Sequence, residues 1–235
     1  MSRGGISIDD VESDGRGGWF IGGDFTSLDG VRCSALVHVL ASLRVNPKWC
    51  PHIGDAVDLL ARAGRTLYVV HGQGLAAIDV TTGRARRWQR QVGGGEAMAA
   101  GGGRVFLGEY ASDAQPPEAT TFAIDARTGR RLRWTARFGN KGCGTTPCYL
   151  KFGAIVVRGG VVYVGGAFSR VQGQKHVGFV ALDARTARPL AWRADVDRDA
   201  INTWVSGADS QRWHIAAVGH QASLTAPACV AQRLI

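Results

Sequence analysis

The chain has 235 residues, 45 % of them apolar and 20 % charged, so it is long enough and apolar enough to bury a sizeable core. No run of about 18 apolar residues occurs, which excludes a transmembrane helix, and the opening MSRGGISIDD has neither the cationic start nor the apolar middle of a signal peptide. The formal net charge of +9 is almost wholly arginine, since only Lys48, Lys141, Lys151 and Lys175 are lysines. It permits acidic polymers or anionic surfaces as partners, while no module that reads nucleic acid is visible and no specific nucleic acid is expected.

The 33 glycines are scattered among apolar runs, the pattern of many short strands joined by tight turns. A first unit begins near Ile6 and passes through FIGG, from Phe20, to Trp49. The second reads as four strands, A to D: AVDLLARAG, RTLYVVHG, LAAIDVTTG and RARRWQRQ, each ended by Gly or polar punctuation. The third starts at Glu96 and the fourth at Gly153, and their B strands open with FLGE from Phe106 and YVGG from Tyr163. A fifth, weaker copy offers AINTWVSG, RWHIAAVG and ACVAQRLI, and ends where its D strand should begin. The predicted blades are 5–55, 56–94, 95–138, 153–199 and 200–235, in one domain. Helical repeats fail, because no helix-length window carries apolar residues at i, i+3, i+4 and i+7 without a Gly interruption.

The units align strictly. Ile21–Trp49 matches Val164–Trp192 without a gap, pairing Gly22, Gly23, Phe25, Gly30, Val37 and Trp49 with Gly165, Gly166, Phe168, Gly173, Val180 and Trp192. A nine-residue step joins Asp79 to Trp88, Asp125 to Trp134 and Asp183 to Trp192, and Leu40 to Trp49 in the degenerate first copy. The stretch DARTGRRLRW, from Asp125, resembles a small active site in composition, but its recurrence makes it architecture. Asp ends strand C, Thr and Gly form the turn, and Trp packs between blades. A catalytic Asp would require four or five equivalent sites, so no catalytic residue is assigned. The fold class is all-β: a β-propeller of four-stranded antiparallel blades, about five with the last incomplete, or a fragment of a larger propeller.

The stretches YVGGAFSRVQG, VALDARTARPLAW and AAIDVTTGRARRW resemble the repeat of bacterial, commonly exported β-propeller proteins distantly similar to the quinoprotein-dehydrogenase-like (PQQ-like) propellers. The likeness runs from about Ile6 through nearly the whole chain and is specific for the repeat, not for an activity. It implies an extracellular or envelope location. Relatives that use pyrroloquinoline quinone carry larger rings with metal and quinone ligands. No matching adjacent-cysteine pair or ligand set stands here, so the resemblance carries no cofactor.

Antiparallel alternation puts the B–C and D–A loops on one face and the short Thr-containing C–D turns on the other. The two long insertions, from Tyr110 and from Arg137, therefore share a face and supply Tyr110, Asp113, Asn140, Lys141, Tyr149 and Lys151 as candidate ligand contacts for a glycan, peptide or protein. Of the five cysteines, Cys143 and Cys148 in CGTTPC are the disulfide candidates, which would point to an oxidising compartment. Cys33, Cys50 and Cys229 stay unassigned. GQGLAA, from Gly72, lacks the following helix that a dinucleotide needs, and DVDRDA, from Asp195, lacks the glycine and distal acid of a calcium loop. No histidine pair has metal spacing, so no metal is expected. The leading expectation is a non-enzymatic binding or scaffold propeller. The alternative is an enzyme with a central-funnel site, a quinone-dependent dehydrogenase or a carbohydrate-active hydrolase or lyase, for which Asp58 is the one ionisable candidate on the inner A strands.

Overall fold

A computed structural model describes residues 6–72, 74–93, 95–111, 118–140, 150–191, 214–218 and 221–225. Among these residues the structure is all-β, and every paired strand is antiparallel to its neighbour, as in the blades of a β-propeller. The chain divides into two compact units, 1–95 with 126–129, and 96–125 with 130–235.

The first unit holds two blades. One contains β1 (Ser7–Ser13), β2 (Trp19–Asp24) and β3 (Leu36–Val39), paired in that order. The other is a complete meander of β4 (Val57–Ala63), β5 (Thr66–His71), β6 (Gly74–Asp79) and β7 (Ala85–Gln91). In the second unit, β8 (Ala97–Gly101), β9 (Arg104–Ala111), β10 (Glu118–Asp125) and β11 (Arg131–Gly139) form the next blade. The blade after it pairs β12 (Lys151–Arg158), β13 (Val161–Ala167) and β16 (Phe179–Asp183). Between β13 and β16, the hairpin β14 (Arg170–Val171) and β15 (Gln174–Lys175) adds to the outer edge of β11, making a six-stranded sheet. The fifth unit contributes the hairpin β17 (His214–Val218) and β18 (Gln221–Thr225).

Several boundaries differ from the sequence expectation. The D strand of the first blade is reduced to a Val39–Val45 bridge and one Asn46 N–H to His38 carbonyl bond of 2.8 Å. Pro47 follows and can donate nothing to a ladder. The fourth blade shows the same reduction, a Leu182–Pro189 bridge, with a proline in the strand itself. The fourth A strand starts at Lys151, and Gly153 lies at its register shift, between Phe152 and Ala154. Strand β11 runs through Phe138 to Gly139, because β14 pairs with both, so the insertion expected from Arg137 begins later. In the fifth unit β18 occupies a stretch read as a connection, while AINTWVSG and ACVAQRLI lie outside the described residues.

Within each unit the recurrent aromatic, aliphatic and small triplet of strand B has a packing cause. Phe20 sits in one core with Val57, Leu60, Leu67 and Val69 of the following blade, and Phe106 with Phe152, Ile155, Val162 and Val164 of the blade that follows it. Two residues after each aromatic, on the same face, the blades approach closely. A Cβ on Gly22 would come within 2.4 Å of Val57, and one on Gly108 within 2.6 Å of Phe152. Alternation sends every second side chain to one face, so the aromatic and the glycine share the contact. Burying each large apolar side chain contributes roughly 1.5 to 3 kcal/mol.

The C–D turns are hydrogen-bonded boxes around the recurrent Asp. Asp79 Oδ1 accepts from Thr81 N at 2.9 Å, Thr82 N at 3.1 Å and Thr82 Oγ1 at 3.3 Å. Asp183 Oδ1 repeats this with Arg185 N at 2.9 Å, Thr186 N at 2.7 Å and Thr186 Oγ1 at 2.8 Å. The fifth residue of each box is left-handed: Gly83 at φ 68°, Gly129 at φ 70° and Ala187 at φ 62°. Of the tryptophans at the nine-residue step, the three described lie on the turn of the following blade. Trp49 rests 3.5 Å from where a Gly83 Cβ would stand, Trp88 covers Gly129, and Trp134 Nε1 donates to the Asp183 carbonyl at 3.0 Å. Trp192 lies outside the described residues.

Candidate functional site

The loop-bearing end of the third blade follows from strand register. Tyr110 pairs with Ala119, and Ala119 with Phe138, so the exit of β9, the start of β10 and the exit of β11 lie together at one end of the sheet. Asn140 follows β11 directly and Lys151 opens β12 with its side chain exposed. Asp113, Lys141 and Tyr149 lie outside the described residues, as do Cys143 and Cys148, and Tyr110 is described only as a strand residue.

Glu96 belongs to the same end of this unit and was not singled out in the sequence. Its backbone N–H donates to the Gly108 carbonyl at 2.9 Å, and its Oε2 accepts from Phe152 N at 2.8 Å. Burial pushes the carboxyl above the ordinary glutamate range, against the opposing pull of the Phe152 N–H and the Lys151 ammonium. The signal was present in GGGEAMAA, a lone carboxylate directly before an A strand without polar side chains. In the first unit Asp10 does equivalent work: its Oδ2 accepts from Leu60 N of the next A strand at 2.7 Å. Asp58 is half-buried at the register shift of β4.

Two histidine–carboxylate pairs occur in the first unit. His71 ends β5 where the first and fourth blades have glycine, and its Nδ1 stands 3.8 Å from Asp55 Oδ2. At the opposite end of the blades, His38 Nε2 meets Asp14 Oδ2 at 3.0 Å. Asp14 Oδ1 also accepts from Arg16 N at 2.6 Å and Gly18 N at 2.8 Å. Burial works to raise the Asp14 carboxyl, but the His38, Arg16 and Gly18 hydrogen bonds outweigh it and hold the group below the ordinary aspartate range. The His38 ring stacks on Phe20 at 4.7 Å between centroids and meets the Trp49 edge at 5.7 Å. That sandwich, with both side chains about nine-tenths buried, makes the pair a clamp between the β1–β2 turn and β3.

Among the described residues, no three His, Cys, Asp or Glu side chains converge as a metal site would require. Strand β6, not a helix, follows Gly72, and Asp195–Ala200 lies outside the described residues. Cys33 and Cys50, unassigned in the sequence, form a disulfide with Cα atoms 5.5 Å apart. Among the described residues, no helix is long and apolar enough to cross a membrane.

Residues 38–136 match a PQQ-like family model described as outer membrane protein assembly factor BamB. Solved structures that resemble the chain include BamB from Moraxella catarrhalis, at 16 % identity over 94 % of this chain and 70 % of that one, with a TM-score of 0.48. The CNH domain of AfRom2 aligns at 11 % identity over 94 % of this chain and 66 % of that one, with a TM-score of 0.49. Hsv2p of Kluyveromyces lactis aligns at 9 % identity over 94 % and 77 %, with a TM-score of 0.44. No curated protein matches the chain.

Proposed function

We propose, from the premise that the chain is built of PQQ-like β-propeller blades, that it is a non-enzymatic binding or scaffold domain of the cell envelope or exterior. Its partner is a protein, peptide or glycan that docks on the loop-bearing end of the blades, around Tyr110, Asn140 and Lys151, with Asp113, Lys141 and Tyr149 as further contacts. The observation that carries this reading is the engagement of the recurrent polar groups in structure. Asp79 and Asp183 are consumed by their turns, and Asp10 and Glu96 by backbone N–H groups of the neighbouring blade. What varies between units is the loops, where binding residues on a rigid scaffold concentrate. The description of the matching family as an outer membrane assembly factor supports the envelope assignment. So does the Cys33–Cys50 disulfide, which belongs to an oxidising compartment.

An enzyme with a funnel site is the second reading. In its favour stands Glu96, whose burial-raised carboxyl is the kind of group that general acids use. Its hydrogen bond to Phe152 N ranks it behind. A photo-crosslinking amino acid placed at Asn140 or Lys151, and for comparison at Thr82 or Thr186 on the C–D turns, separates the outcomes in a cell-envelope fraction. A discrete adduct from the first pair alone is expected. Adducts from Thr82 and Thr186 alone would overturn the loop-end assignment.

A further inference from the structure

The three outer strands of the second unit's six-stranded sheet carry an unusual strip. On β11, Trp134, Ala136 and Phe138 are buried, while Arg131, Arg133 and Arg137 are exposed on the opposite face. Gly139, on that same face, pairs with Arg170 of β14, and Arg170 pairs with Lys175 of β15. Five cations therefore share one face of three adjacent strands. Side chains two apart on a strand are spaced by about 7 Å, so Arg131 to Arg137 covers about 20 Å, and each neighbouring strand adds about 5 Å across.

Among the described residues, none of Arg131, Arg133, Arg137 and Arg170 has an ion-pair partner. Arg131 lies 3.9 Å over the Phe122 ring, which fixes it against the sheet. Arg170 Nη1 donates to the Gly173 carbonyl at 2.5 Å. Inward of Arg137 come Thr120 and then Glu109, in direct register, so the carboxylate bounds the cationic strip two strands away. In the second blade, by contrast, Arg65 and Arg86 flank Asp79 at 3.5 and 3.9 Å.

We propose that this face binds an extended, phosphate-bearing polymer without bases. Charge complementarity along a line selects a linear polyanion over a compact ion. The four arginines among the five cations select phosphate, because the planar guanidinium fork gives paired hydrogen bonds to its oxygens. Sequence-tolerant binding of single-stranded nucleic acid relies on exposed aromatic rings for stacking. Among the described residues, the one aromatic ring of this face, Phe122, is buried under Arg131.

The test uses the full chain and labelled inorganic polyphosphate, read by fluorescence anisotropy near physiological salt. Arg133→Gln with Arg137→Gln is expected to weaken binding by about tenfold or more and to lower the slope of log affinity against log salt by about 1 to 2. The equal charge loss Arg16→Gln with Arg44→Gln, at exposed positions of the first blade, is expected to weaken it less than about threefold. Equal losses from the two pairs would overturn the site and leave only general charge. Competition by hyaluronate or oligo-dT as strong as by unlabelled polyphosphate at matched charge would overturn the phosphate assignment. So would full affinity in Arg133→Lys with Arg137→Lys, which keeps the charge and loses the fork.

Discussion

Gly129 and Gly83 occupy equivalent turn positions but carry different constraints. Both are left-handed, at φ 70° and φ 68°, where a Cβ costs about 1 to 2 kcal/mol. A Cβ on Gly83 would meet Trp49 at an ordinary 3.5 Å, whereas one on Gly129 would stand 2.6 Å from Trp88. Gly83→Ala should therefore cost only the backbone part, and Gly129→Ala that part plus a collision, for a total of about 2 to 4 kcal/mol. Urea midpoints at constant m value would show the ordering, and equal losses would mean that Trp88 moves away freely. Ala187, at φ 62° and 2 % exposed, shows that the box tolerates a methyl where the neighbour leaves room. Residue type at this position is therefore decided jointly by the turn and by the tryptophan of the preceding blade.

Between elements, the A strands within each unit are joined by a carboxylate on or directly before one and a backbone N–H on the next, Asp10 to Leu60 and Glu96 to Phe152. Glu96 pays for its position in desolvation, which raises its carboxyl despite the Phe152 N–H and Lys151. A raised folded value means that its contribution is full below the unfolded value of about 4.3 and is lost as pH rises through the folded value. Glu96→Gln keeps an acceptor for Phe152 N and sheds the buried charge. The variant should be no more stable than the parent near pH 4 and more stable near pH 8, by on the order of 1 kcal/mol. Melting temperatures at the two pH values check this, and a gap that narrows with rising pH would contradict it. The first blade gains a covalent tie instead of a full D strand: Cys33–Cys50 closes a 17-residue separation around β3, a constraint of about 3 kcal/mol.

For the molecule as a whole, acid is the sensitive side. Burial works against Asp14 and Asp79, yet the hydrogen bonds of His38, Arg16 and Gly18 to the first, and those of Thr81 and Thr82 with the Arg65 charge to the second, hold both below the ordinary range. The Thr186 hydroxyl, with the Thr186 and Arg185 N–H groups, does the same to half-buried Asp183. Depressed folded values stabilise above the unfolded value of about 3.9 and stop doing so as pH falls through the folded ones. A net charge of +9 at neutrality adds repulsion as the carboxylates protonate. The triple variant Asp14→Asn, Asp79→Asn, Asp183→Asn should be less stable than the parent at pH 7, with the gap closing towards pH 2. A constant gap in melting temperature across that range would show that these carboxylates do not set the acid limit.

The all-β repeat, the C–D box and the nine-residue step to Trp were legible in the chain itself because they rest on contacts a few residues apart or on strict alternation. An Asp that bonds the N–H groups two and three residues on writes its partners beside itself, and a glycine forced by a close blade approach recurs with the repeat. Non-local partners leave no such trace. Nothing in the spacing distinguished the Cys33–Cys50 pair from the other cysteines, or marked Glu96 as the acceptor for a residue 56 positions away. Nor did alternation on β11 show that a hairpin from the next blade would extend its edge and align Arg170 and Lys175 with Arg131, Arg133 and Arg137. Periodicity states which side of a strand is covered. Only the tertiary structure states by what, because that depends on chain segments brought together from anywhere in the sequence.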